Sequence, residues 1–553
     1  MDVEMMLLFV LAAVTVVVVV RWVAERTGLP AAALLTLAGI GYALLPGPNV
    51  TLDPGFVLTF VLPPLLYSAA LDSSLLAIRR NLRTVISLSV ALVLLTALAV
   101  GVGFVWFVGG ATLAAGIAVG AAVAPPDPVA AMGVARRVGL PARLVTIIQG
   151  EGLLNDATAL TMLSVAVAAV TGGGFSPPAA VGQFILAAAG GIVTGGFVAY
   201  GVRTLRHWAT DPLIANAVSL ATPFVAYLLA DRMHVSGVLA VVVTGLIIGH
   251  DAPRWASGAS RLQTGAVWRL VDFLLEGFVF LLIGQQLPRI VEGLKQYDAA
   301  TVVIAVAITV GVVLLLRPLW LILTQSLPRS LHTWLGWTES ADTIRPSYRQ
   351  RRHDDRLTGR EVTALSWSGT RGVISLAAIF TIPLVTDSGD PFPLRDLLLF
   401  CTFAVVLVTL VGQGLTFALL SRALGLRADD TDRSRLRNEA RSASVKAALA
   451  RLDEIADEAG TDVRIVNTVR GQLRTRLTRY QGRLDLIQAA ASSEMPVSPQ
   501  YEAALHARRA AISAQREELL RWRDAGWLPD DGLRVLEHEL DLEERLLPDR
   551  PAR

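Results

Sequence analysis

Runs of apolar residues about twenty long recur along most of the chain, each long enough to cross roughly 30 Å of hydrocarbon as a helix. They fall at 5–20, 29–45, 55–71, 84–108, 112–134, 144–170, 180–202, 213–230, 235–249, 266–288, 301–325, 361–384 and 396–422. About thirteen transmembrane helices are therefore predicted. Two of them, 112–134 and 361–384, are interrupted by Pro, Gly and charged residues. Beyond residue 425 apolar positions recur at helical spacing among dense charges, in blocks at 432–490 and 499–548 divided by ASSEMPVSPQ. That periodicity fits a small bundle, a dimerising coiled coil or a partly disordered extension. The expected fold is an all-α polytopic membrane protein, with a transmembrane domain over 1–425 and a cytoplasmic helical tail over 426–553.

Composition agrees with this division. The chain of 553 residues is 53% hydrophobic and 17% charged, against about a quarter charged in soluble domains. Residues 427–553 hold 22 of the 49 basic and 23 of the 46 acidic side chains, so the membrane part is poorer still. Its arginines alternate. With thirteen spans, one side receives Arg21, Arg26, Arg79, Arg80, Arg83, Arg136, Arg137, Arg143, Arg203, Arg206, Arg254, Arg261 and the basic stretch Arg329–Arg360, while the other receives Arg232, Arg289, Lys295 and Arg395. Cationic loops face the cytoplasm, which puts the N-terminus outside and the tail inside. The start MDVEMM lacks the basic residues of a secretory signal, so the first segment is expected to remain as a membrane helix.

Several function classes are excluded. Lys295 and Lys446 are the two lysines and neither lies in a GxxxxGK[ST] context, which removes a P-loop ATPase. Cys401 is the single cysteine, so there is no disulfide framework or thiolate metal site. No enzyme motif and no cofactor are expected. The scattered basic residues do not form a nucleic-acid footprint. The partner implied is the lipid bilayer. Loop 326–360, with SYRQRRHDDRLTGR, reads as a solvated topology signal.

Charges inside the apolar runs carry the chemistry, since an ionisable group at mid-membrane costs about 2.5–3.5 kcal/mol on insertion scales. In APPDPVA three prolines must break the helix, and a break at this depth lines a cavity or a cation site. Asp127 sits at that break, after Pro126, either as a functional acid or as a helix cap. In EGLLNDATAL, Glu151 and Asn155 share one helical stripe while Gly152 and Asp156 share the next, so small Gly152 leaves room one turn from Asp156. A carboxylate beside an amide and backbone carbonyls suits a hard monovalent cation, and the same carboxylate can take a proton instead. In WSGTRGVISLA, Arg371 lies between glycines and needs an anion or carbonyls, with Glu151 the first candidate partner and Asp127 the second. Arg317 and Glu276 are possible accessory charges.

These three stretches, in this order, resemble the sodium/proton exchanger branch of the monovalent cation:proton antiporters, specifically its bacterial NhaP-type members. The tail segment REELLRWRDAGWLPDDGLRVLEHELDLEERLL is similar to the cytoplasmic extension of bacterial members. The resemblance spans about Leu7 to Leu420 and implies inverted repeats, two broken helices crossing at mid-membrane, and a homodimer. It further implies that Asp156 is the cation- and proton-binding carboxylate, holding Na⁺ or Li⁺, with Asn155 the neutral neighbour of the electroneutral branch. Glu151 and Arg371 match a structural or gating ion pair, and Asp127 matches the acid of the broken helix. The sequence departs at Pro126, where relatives often carry Thr, and at Gly152, where they often carry Ser. The activity implied is exchange of protons for Na⁺ or Li⁺ across the bacterial plasma membrane in pH and sodium homeostasis, with the one carboxylate of Asn155-Asp156 arguing for one proton per cation. Alternatives are K⁺/H⁺ exchange, a gated channel or a membrane receptor.

Overall fold

The computed structural model describes residues 3–45, 53–172, 177–208, 211–255, 258–326, 357–426, 430–456, 463–489, 499–524 and five positions between 536 and 543. Most of loop 326–360, the divider ASSEMPVSPQ up to residue 498 and most of the tail segment after Asp524 lie outside the described residues. The chain divides into two compact units, Met1–Ala428 and Asp429–Arg553.

In the first unit every apolar run corresponds to one helix or one broken pair. The helices are α1 (Val3–Thr27), α2 (Ala31–Ala43), α3 (Pro54–Leu71), α4 (Leu82–Phe107), α5 (Leu113–Val123), α6 (Pro128–Val138) and α7 (Ala142–Thr171). They continue with α8 (Pro177–Trp208), α9 (Pro212–Arg232), α10 (Gly237–Trp255), α11 (Gly258–Gln285) and α12 (Ala299–Ser326). The last are α13 (Gly359–Trp367), α14 (Val373–Phe380) and α15 (Arg395–Ala423). By length and composition, seven described helices can cross a membrane unaided, and three shorter apolar ones accompany them.

Helix ends follow local chemistry. Asp127, Asp211 and Thr358 each accept a bond from a first-turn amide of the helix that follows, and Thr358 with Glu361 completes a capping box. Gly139 closes α6 in the left-handed conformation, φ 72°.

Two groups of helices emerge from the packing. Helices α4, α5, α7, α12, α14 and α15 pack on one another, and α1, α2, α3, α8, α9, α10 and α11 form the other group. The first group is built twice over as rod, broken pair, rod: α4, α5/α6, α7 and then α12, α13/α14, α15. Lipid offers no hydrophobic drive between helices, so close approach through small residues matters. At the α2–α11 crossing a Cβ on Gly284 would run into the Thr36 carbonyl and the Ile40 amide, so glycine is required there. Both α4 and α15 contain a π-helical turn, Ser87–Ala91 and Val408–Gln413. Such turns often mark functional positions: Thr409 of the second meets Arg371 at a break, and Ser89 of the first meets the Glu151 carbonyl on α7.

The second unit holds α16 (Asp430–Ala456), α17 (Val463–Ala489) and α18 (Pro499–Asp524). The first tail block, 432–490, holds two of these helices, α16 and α17. They form an antiparallel hairpin, with Arg470 bonded to Asp453 at 2.6 Å and Arg441 over the Tyr480 ring at 5.7 Å. Among the described residues of this unit the buried apolar side chains are Val445, Val466, Ile512 and Leu540.

Candidate ion-binding site

The two breaks meet. Residues 124–127 separate α5 from α6, and 368–372 separate α13 from α14. At the crossing the Asp127 amide donates to the Thr370 carbonyl at 2.6 Å, and the Thr370 hydroxyl donates back to the Asp127 carbonyl at 3.0 Å. These bonds satisfy backbone groups that the prolines of APPDPVA and the turn of WSGTRGV leave outside any helix, which is the condition for irregular backbone within a membrane.

Each half-helix has a charged end, and two side chains answer them. The Asp127 carboxylate accepts from the Val129 amide at 2.9 Å at the start of α6, and the Val373 amide at the start of α14 also faces it. A negative group is thus set against two positive helix ends. A Cβ on Gly372 would overlap the Asp127 carboxylate, so this glycine makes the approach possible. Arg371 does the opposite service. Its guanidinium donates to the carbonyls of Val123 at 2.9 Å and Ala124 at 3.1 Å, where α5 ends, and to that of Gly369 after α13. Its backbone amide donates to the Thr409 hydroxyl at 2.9 Å, within the π-helical turn of α15.

This geometry corrects one expectation. Glu151, 1% exposed, is held by Arg317 of α12, not by Arg371. Arg317 Nη2 donates to Glu151 Oε2 at 2.9 Å, Nη1 donates to Oε1, and Nε donates to the Leu365 carbonyl at 3.0 Å. The physical reason is reach: Arg371 is consumed by three carbonyls of its own crossing, whereas the planar fork of Arg317 meets both Glu151 oxygens. The two arginines flank Gly369, whose missing Cβ leaves space for both side chains. Arg317, read from sequence as an isolated charge, is therefore part of the site's framework.

Asp156 lies on α7, 3% exposed, facing Asp127 as its nearest charge. Among the described residues no group donates a hydrogen bond to its carboxylate and no basic side chain pairs with it. Beside it, fully buried Asn155 donates from Nδ2 to the Pro126 carbonyl at 2.9 Å, while its Oδ1 has no partner. The result is a carboxylate and an amide oxygen set beside the first break, the donor set a hard cation prefers. Gly152 does not leave open room, contrary to expectation. The Pro128 ring fills the place a side chain would take, its Cγ 2.5 Å from an added Cβ. A serine at this position would collide with that ring. Glu276 lies half-buried on α11, in the other group of helices.

Thr370, Thr409, Gly372 and Ser89, whose hydroxyl donates to the Glu151 carbonyl at 3.2 Å, belong to the framework and were not singled out from sequence. A membrane-depth break needs such donors and acceptors, but Thr and Ser are common in apolar helices and give no signal of which backbone they will meet.

Comparison with known proteins agrees with the crossing. The family model for the transmembrane sodium/hydrogen exchanger matches residues 13–423. A relative in Mycobacterium tuberculosis named as an uncharacterized Na⁺/H⁺ exchanger is 34% identical over 98% of this chain and 96% of its own length. A sodium, potassium, lithium and rubidium/H⁺ antiporter of Bacillus pumilus is 29% identical over 69% of this chain and 56% of its own. The solved structure of the sodium proton antiporter MjNhaP1 of Methanocaldococcus jannaschii superposes with a TM-score of 0.58 at 19% identity, covering 77% of this chain and 99% of that one, which shows the fold. With two broken helices crossed at a buried carboxylate and a family match across the whole membrane unit, the chain belongs to the sodium/hydrogen exchangers, a family of membrane transporters rather than enzymes.

Proposed function

We propose that this protein exchanges one proton for one Na⁺ or Li⁺ at Asp156, without net charge movement and without a cofactor. The observation that carries this reading is the charge balance of the buried groups at the crossing. Glu151 is paired with Arg317 and Asp127 is answered by the Val129 and Val373 amides at two helix ends, whereas among the described residues Asp156 meets neither a base nor a donor and has Asp127 beside it. A single proton or a single monovalent cation neutralises it, and the two compete for the same oxygens.

Asn155 Oδ1 supplies the second ligand oxygen in this reading, and Asp127 holds the broken helices rather than the ion. Arg317–Glu151 and Arg371 keep the framework rigid. The helices that carry the breaks move as a body against the α1–α3 and α8–α11 group, presenting Asp156 to either side in turn. The arginine distribution supports an external N-terminus and a cytoplasmic tail, in a bacterial plasma membrane. The protein works as a homodimer in pH and sodium homeostasis, as the family resemblance implies. Potassium is the second reading, favoured by the Bacillus pumilus relative whose name includes it.

Proton flux in proteoliposomes with an imposed pH gradient tests the reading. Na⁺ or Li⁺ should collapse the gradient in the wild type and not in Asp156→Asn, and addition of a potassium-selective ionophore should leave the rate unchanged if exchange is electroneutral. Collapse by K⁺ alone would shift the substrate to potassium.

A further inference from the structure

Helices α8 and α10 run parallel, touching closely over one part of their contact and separating over the next. A Cβ on Gly191 would run into the Ser236 carbonyl and one on Gly195 into the Ala240 carbonyl, while the Thr244 hydroxyl donates to the Gly195 carbonyl at 3.0 Å. One residue on, a Cβ on Gly196 would meet nothing within 4 Å. A groove of about 110 Å³ opens here between the helices, lined by Gly196 and Ala199 of α8 and by Ile247 and Ile248 of α10. Tyr200, Arg203 and Asp251 complete the lining at its polar end. Arg203 and Asp251 stand just beyond the apolar runs 180–202 and 235–249, at the depth where hydrocarbon gives way to lipid headgroups.

The polar groups are within reach of an occupant. Tyr200 is 72% exposed, and the Arg203 and Asp251 side chains are 62% and 18% exposed. Arg203 Nη1 donates to Asp251 Oδ2 at 3.4 Å. An ion pair so long and so exposed adds little to stability, yet it holds a cation and an anion side by side at the mouth of an apolar groove. A guanidinium carries five donors in a fork that suits phosphate oxygens, and this contact takes one of them.

We propose that the groove binds a phosphatidylethanolamine molecule of the surrounding leaflet. Its phosphate accepts from Arg203 and from the Tyr200 phenol, its ammonium donates to Asp251, and one acyl chain runs along Gly196, Ala199 and Ile247. The headgroup zwitterion lies antiparallel to the Arg203–Asp251 pair, so each charge meets its opposite. The choline headgroup is cationic but has no N–H, and the glycerol headgroup has hydroxyls but no cation, so neither offers Asp251 a charged donor. Both helices belong to the α1–α3 and α8–α11 group, so the site does not rest on exchange at Asp156.

The test uses full-length protein in phosphatidylcholine vesicles containing a trace phospholipid with a diazirine in one acyl chain and an ethanolamine, choline or glycerol headgroup. After irradiation, label is mapped by mass spectrometry on the peptides carrying 196–203 and 247–251, with the peptide carrying exposed Val303 and Ile304 of α12 as internal reference. The ethanolamine lipid should label the groove peptides about fivefold more than the other two, the order expected of a charge-assisted hydrogen bond at a partly solvated site. Asp251→Asn should lower it to the level of the choline lipid, and Arg203→Gln should weaken it as well. Gly196→Phe, which fills the groove where an added Cβ meets open space, should remove the label from both helices with the helical circular dichroism unchanged. Equal labelling by the three headgroups, or an ethanolamine preference that survives Asp251→Asn, would overturn the proposal. Exclusion of all three lipids, with cross-links between copies at these peptides, would assign the face to a second copy of the chain and overturn it too.

Discussion

Removing Arg317 should be far more damaging than its lone position in the sequence suggests. Arg317→Met keeps the length and apolar stem of the side chain but leaves Glu151, whose side chain is 2% exposed, without its bonded counter-charge. At that depth solvent cannot screen the carboxylate, so the loss is that of breaking a buried pair, about 3–5 kcal/mol. The bond from Nε to the Leu365 carbonyl is lost as well, loosening α13 from α12. Neutralising the stranded partner should reverse most of this: Glu151→Gln with Arg317→Met should recover at least about half of the loss, because a neutral amide costs much less to bury than an ionised carboxylate. Denaturant unfolding in detergent micelles, run on both single variants and the double variant, gives the coupling energy directly. Glu151→Gln with Arg371→Gln serves as the control and should show a much smaller coupling, since Arg371 bonds to carbonyls. An Arg317→Met loss below about 1 kcal/mol, or a larger coupling of Glu151 to Arg371 than to Arg317, would refute the pairing.

Other outcomes follow from the same geometry. Gly152→Ser should destabilise the protein by about 1–3 kcal/mol through overpacking against the Pro128 ring, seen as a lower unfolding midpoint; an unchanged midpoint would mean the ring is free to move. Asn155→Asp sets a carboxylate oxygen against the Pro126 carbonyl in place of a donor, and should cost about 1–3 kcal/mol, with the loss shrinking at low pH as the new acid protonates and regains a donor. Arg371→Ala should reduce the yield of folded protein more than it changes the apparent KM for Na⁺, because it leaves the ends of α5 and α13 without their donor; the reverse split would place Arg371 on the ion. Since proton and cation compete at Asp156, the apparent KM for Na⁺ should rise by about tenfold per pH unit on the acid side of the profile, with an unchanged maximal rate; a flat KM would separate the two sites.

The architecture was legible because the bilayer constrains it so strongly. Each apolar run had to become a helix, and three prolines around Asp127 had to break one. Asp127 was legible as a candidate cap at that break, and its N-cap geometry on α6 follows from the Asp-Pro sequence. What sequence could not convey was pairing across long separations. Glu151 and Arg317 lie 166 positions apart, and nothing local distinguishes Arg317 from Arg371 as the partner. The decisive fact is the set of carbonyls that Arg371 meets, which exists only once the two breaks cross. Gly152 misled for a similar reason: a small residue marks close approach, but the neighbour here is a ring from another helix, and the space is already filled. The tail was legible as helical and charged and as divided at ASSEMPVSPQ, while the division of 432–490 into α16 and α17 was not, because charged residues favour helix on both sides of it.

The most direct measurement is proton flux in proteoliposomes under an imposed pH gradient, with Na⁺, Li⁺ and K⁺ added in turn and wild type beside Asp156→Asn. The account predicts gradient collapse by Na⁺ or Li⁺ in the wild type and none in Asp156→Asn, with both proteins equally folded. Cation-dependent flux that survives in Asp156→Asn would contradict it.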